Sequence, residues 1–171
     1  MALTNVQLSV ATHILAVLGY HYGRELTSAV LAESVNAEPT FVRRVLSKLS
    51  KAGLVTATRG RNRASVLSRP PSKISLLEVY QASEAPPTFA IHSYLVERGC
   101  PVSLNIKDSM SKVFDKAQQG FEKSLAGQSL ADVVSSIRED PKGDARSTRR
   151  FGEAQPVRCV TPKRCPEHSG L

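Results

Sequence analysis

The 171-residue chain has no tryptophan, and aromatic residues make up only 5% of it. That argues against a surface that stacks successive bases of a single strand. Cysteine is scarce too. Cys100, Cys159 and Cys165 are an odd set, with no Cys-x-x-Cys spacing and no accompanying acid–base pair. An odd count argues against a secreted disulfide framework, and a redox enzyme is the poorest of the readings. No apolar run approaches the roughly 20 residues that cross a bilayer; the longest lies near Ile14 to Leu18. The opening MALTNVQLSV lacks the charged start and apolar stretch of an export signal. These absences predict a cytoplasmic protein with reduced thiols and no membrane partner.

Acidic residues are short in one region only. Residues 1–80 hold ten Lys/Arg against four Asp/Glu, residues 81–137 five against six, and residues 138–171 eight against five. The net charge of +8 thus belongs to the N-terminal half and the tail. A basic domain attracts phosphates by counterion release and long-range steering. Apolar residues are 41% of the chain, enough for a buried core.

The pattern predicts a mainly α fold with a small β-hairpin. VQLSVATHILAVLGYH carries Val10, Ile14, Val17 and Leu18 at helical spacing. Arg24-Glu25-Leu26 breaks it, and Thr27 is placed to cap a second helix with Val30, Leu31 and Val35 inward. After the turn Asn36-Ala37-Glu38, a third helix runs from about Pro39 to Ala52. Pro39 suits its first turn. Val42, Val45, Leu46 and Leu49 form the buried stripe, and Gly53 is a left-handed cap. Two short helices joined by three residues, the second basic on its outer side, make a helix-turn-helix. Strands over 54–58 and 64–67 flank a turn holding Gly60 and Asn62, which is a wing. Pro70-Pro71 ends that module, and Ser75 caps SLLEVYQA.

Further on, residues 91–96 fit either a short helix or an extended segment. A long helix from Ser103 shows Ile106, Met110, Val113, Ala117, Phe121 and Leu125 in heptad-like steps. Such a seam needs a cover: the chain's own core, or a second copy of itself, which is the favoured reading. Gly127 stops this helix and Ser129 caps a short final one. From Arg138 the pattern vanishes. The expected organisation is a winged helix-turn-helix over 1–80, a dimerisation and effector region over 81–137, and a basic tail over 138–171.

The candidate site is the outer side of the third helix. A helix fits the major groove and its N-terminal outward residues reach base edges. Thr40, Arg43 and Arg44 hold those places; Ser47, Lys48 and Lys51 suit phosphates. Arg59, Arg61 and Arg63 at the wing suit a narrow minor groove, Arg59 foremost. The bland alternative is a solvated basic face, and the rival function is an interaction module docking an acidic protein.

The stretches VATHILAVLG, LAESVNAEPTFVRRVLSKLSKAGLV, TATRG, ISLLEVYQA and GCPVSLNI resemble the IscR/NsrR/CymR family of bacterial winged-helix transcription regulators, over about residues 6–135. The YwnA-like branch is the nearest. The resemblance implies a homodimer, with the long helix as the interface, that binds palindromic double-stranded DNA; it also matches Thr40, Arg43, Arg44 and Arg59 to family DNA contacts. Two departures stand out. The wing reads RGRNRAS where many members have a glycine-rich tip, and the loop before the dimer helix holds only Cys100 where cluster-binding members place three cysteines. A cluster held by three local thiolates is therefore excluded, and no cofactor is expected. Mixed ligation by His13 and Cys100 across a dimer is the remote exception; a satisfied core or interface histidine is the default for His13. Cys100, extended before Pro101, is either a small buried residue or a sensor of oxidants. Cys159, Cys165 and His168 are a weak metal or disulfide signal in the tail.

Overall fold

A computed structural model describes residues 6–58, 64–97 and 99–139. The wing arginines Arg59, Arg61 and Arg63, and the tail with Cys159, Cys165 and His168, lie outside the described residues. Helix α1 spans Val6–Tyr20 and buries Ala11, Ile14, Leu15 and Leu18. The core stripe is thus turned slightly from the predicted one, and Val10 and Val17 are half-buried flanks. A two-residue strand β1, Leu26–Thr27, follows where only a helix break was expected. Thr27 also caps α2, Ser28–Val35, its hydroxyl accepting the Val30 N–H at 3.4 Å. In α2, Leu31 and Ala32 are buried while Val30 and Val35 are half-buried.

Asn36 adopts the left-handed conformation (φ 54°, ψ 50°) and ends α2, its N–H reaching the Ala32 and Glu33 carbonyls. A short polar residue tolerates that conformation best after glycine. Helix α3, Pro39–Lys51, starts on the proline and buries Val42, Val45, Leu46 and Leu49 as predicted. Gly53 has φ +72°, a turn that brings the Leu54 N–H onto the Leu49 carbonyl at 3.0 Å. Strands β2, Val55–Ala57, and β3, Ala64–Leu67, then complete a sheet of order β1-β3-β2, antiparallel throughout, with Leu26 opposite Ser65 and Val55 opposite Leu67.

A single 3-10 turn, Pro71–Lys73, leads to α4, Leu76–Ala82. Helix α5, Pro101–Ala126, begins two residues before Ser103, because Pro101 is itself an acceptable first-turn residue. Residues 89–96 form no helix or strand. Helix α6, Leu130–Glu139, turns back and packs on α1. It runs through Arg138 and Glu139, past the point where sequence pattern fades. Arg138 explains this: its guanidinium lies over the Tyr20 ring at 5.1 Å and donates to the Tyr20 carbonyl at 3.0 Å.

One apolar cluster joins Ile14, Leu15, Leu31, Val42, Leu49, Ile74 and Val79 with Leu130 of α6. Each such side chain contributes about 1.5–3 kcal/mol when fully buried. A smaller cluster of Leu76, Tyr80 and Leu125 ties α4 to the C-terminal end of α5. Among the described residues no helix is long and apolar enough to cross a membrane.

Candidate nucleic-acid interface

The buried stripe of α3 decides what its other side can do. At about 100° per residue, Thr40, Arg43, Arg44, Ser47 and Lys51 fall within one arc opposite Val42, Val45, Leu46 and Leu49. All five are exposed. Three fixed positive charges and two hydroxyls therefore share one convex surface. Glu38, at the N-cap, is the acid at its edge and makes no side-chain cap bond. Arg43 is steered: its Nε donates to Ser28 Oγ at 3.4 Å, holding the guanidinium beside the first turn of α2. Ser28 belongs to the candidate site and was missed in the sequence, since helix spacing does not tell which α2 residue faces α3.

Lys48 departs from its expected place. Its ammonium is 3.0 Å from Glu84 Oε2 and donates to Gln7 Oε1 and the Ser83 carbonyl, each at 3.3 Å. Helical phase explains this. Lys48 stands at the edge of the exposed arc, next to Phe41 and the buried Val45, so its chain runs back toward α1 and the end of α4. Glu84 meets it from a left-handed conformation, φ 52°. Lys48 thus braces α3 from behind.

The wing is closed at its base by the Thr58 N–H and Oγ1, which donate to the Ala64 carbonyl at 2.8 and 3.1 Å. Arg59, Arg61 and Arg63 fall between them in the sequence, outside the described residues.

The predicted seam on α5 divides. Phe121 packs edge-on against Tyr80 with ring centroids 5.4 Å apart, and Leu125 is buried beneath α4. Ile106, Met110 and Ala117 are half-buried. Val113 is 55% exposed, as are Val102 at 68% and Leu104 at 52%. The preceding segment adds Tyr94 and Leu95, at 77% and 97%. Cys100 is the N-cap of α5, extended as its place before proline predicts (φ −112°, ψ 113°), and half-buried.

Of the two default readings of His13, core or interface histidine, the core one is corrected. His13 is exposed, with Nε2 3.2 Å from Ser34 Oγ, because it faces α2 rather than the centre of the domain. Among the described residues no three His, Cys, Asp or Glu side chains gather as metal ligands.

The family pattern described as "Rrf2: Iron-dependent Transcriptional regulator" matches residues 4–136. YwnA of Bacillus subtilis strain 168, named for an HTH-type transcriptional regulator, is 37% identical over 134 residues, covering 78% of this chain and 98% of that protein. A crystal structure titled as a DNA-binding protein is 35% identical, with a TM-score of 0.59, covering 75% of this chain and 98% of that one. IscR of T. potens shares the fold at 18% identity and a TM-score of 0.61, covering 83% of this chain and 93% of that one. The word iron in the family description meets a donor set that does not fit it. The loop before α5 offers one thiol, Cys100, and a cluster needs several thiolates.

Proposed function

Because the chain belongs to the Rrf2 family of transcriptional regulators, we propose that it is a homodimeric repressor that reads a palindromic operator with α3. One observation carries this reading: Thr40, Arg43, Arg44, Ser47 and Lys51 lie exposed on one face of a helix whose opposite face is locked into the core. Arg43 and Arg44 pair with guanine edges, and the Thr40 methyl meets a thymine methyl. Ser47 and Lys51 hold phosphates, which set register without specifying sequence. Of the three wing arginines, Arg59 enters the adjacent minor groove.

The exposed apolar residues of α5 and of segment 89–96 support pairing of two copies, which would double the contacts and match a two-fold operator. Cys100, at the junction of that segment with α5, is where thiol oxidation would be felt by the interface. A regulator of this kind works in the cytoplasm, where its DNA is.

Mobility shifts on DNA from upstream of its own gene, at two salt concentrations, test the reading. Arg43→Ala or Arg44→Ala should each weaken specific binding by about 1–3 kcal/mol. Unchanged binding on every sequence tried, for both variants, would remove this face from the DNA. Intact mass after peroxide treatment, with Cys100→Ser as control, tests the thiol.

A further inference from the structure

A second site lies behind the helix-turn-helix. α1 packs on α6 beside Gly19, where an added Cβ would stand 3.1 Å from Val134 Cγ2. On the neighbouring face of α1, residues 13, 16, 17 and 20 follow one another at helical spacing. There the small Ala16 leaves a cleft of about 260 Å³, flanked by Ser34 of α2 and Ile137 of α6. We propose that this cleft binds a small, single-ring aromatic carboxylate.

Four features select that class. Much of the lining is apolar: Ala16, Val17, Tyr20 and Ile137 share it, and Tyr20 and Ile137 are exposed. Three polar side chains complete it. At one end His13 Nε2 and Ser34 Oγ are 3.2 Å apart, so one of the pair can turn a hydrogen toward an incoming oxygen. At the other end His21 meets the Tyr20 ring edge-on at 5.2 Å.

Charge then favours an anion. No carboxylate lines the cleft. Burial first, and then the nearby Arg24 and Arg138, hold the His21 imidazole toward its neutral form. Arg138 lies over the Tyr20 ring at 5.1 Å, and Arg24 and Arg138 both act on His21, so positive charge stands near that end of the cleft, outside its lining. A cationic ligand would meet that charge unfavourably. Size sets the last limit, because the cleft is below the roughly 300–1,000 Å³ typical of drug-sized ligands. One ring and one carboxylate suit it. The assignment does not depend on the DNA-binding reading, although Ser34 places the ligand directly against the first helix of that motif.

The chain has four histidines, and their ring protons report on binding without labels. Titration of the full chain with benzoate should shift the His13 and His21 resonances saturably in the millimolar range and leave His92 unmoved. Benzylamine at the same concentrations should not produce the shift. Ile137→Glu puts a like charge on the exposed rim and should weaken benzoate about tenfold or more with circular dichroism unchanged. Ala16→Leu fills the floor and should abolish the response. A drift that never saturates, an equal response to benzylamine, or undiminished binding in Ile137→Glu would each overturn the assignment, whether or not the Ala16 variant folds.

Discussion

Lys48 and Lys51 sit three residues apart on α3, and their ammonium groups have different work. Lys51 is exposed on the face with Arg43 and Arg44, whereas Lys48 is held by Glu84, Gln7 and the Ser83 carbonyl. A phosphate contact contributes about one unit to the slope of log affinity against log salt. Lys51→Ala should therefore lower that slope by about one on operator DNA. Lys48→Met should leave it unchanged and lower the melting temperature slightly, since a partly exposed pair is worth about 0–1 kcal/mol. A lost unit of slope in Lys48→Met would return that side chain to the phosphates. Acid acts at single residues too. The Ser75 N–H, donating to Glu78 Oε2 at 2.9 Å, and then the Arg69 guanidinium hold the Glu78 carboxyl below the usual carboxylate range. The Ser129 N–H at 2.7 Å does the same for Asp132. Both shifts are downward, so the stability they bring is full above the unfolded carboxylate range and is lost as pH falls through the folded values. The melting-temperature difference between the native chain and Glu78→Gln should be clear near neutrality and vanish in strong acid.

Elements are joined here by small, specific contacts. The boxes Ser75–Glu78 and Ser129–Asp132 start α4 and α6 side by side, linked by the Leu76 N–H to the Gln128 carbonyl at 2.9 Å and the Leu130 N–H to the Ile74 carbonyl at 2.8 Å. Helix α6 therefore leaves the end of α5 already pointed at α1. Gly19 lets the two meet, with Val134 against its missing side chain. Gly19→Leu should part them at a cost of about 1–3 kcal/mol, as overpacking does. Hydrogen exchange would show it as lost protection in α6 with α3 unchanged. Leu49→Ala, by contrast, empties the centre of the helix-turn-helix and should cost about 2–5 kcal/mol in global unfolding.

At the scale of the whole molecule, the pairing of two copies proposed above would cover the exposed Val102, Leu104 and Val113 of α5 and the Tyr94–Leu95 pair. Val113→Glu combined with Leu104→Glu should yield a monomer by sedimentation, with unchanged helicity. Binding to a palindromic operator should fall far more than binding to a single half-site. A dimer that survives both charges would place the interface elsewhere.

The sequence alone determined what depends on neighbours within a few residues: the stripe and ends of α3, the caps at Thr27, Ser75 and Ser129, the wing strands, and the basic outer face. Helical period and capping chemistry are local, so they survive in one dimension. The strand β1, the clasp on Lys48, the partnership of Arg43 with Ser28, the return of α6 to α1 and the cleft over Ala16 were decided only by the fold. Each joins residues far apart in the chain, Lys48 with Glu84 or Tyr20 with Arg138, whose meeting is set by how whole helices pack rather than by any spacing between them.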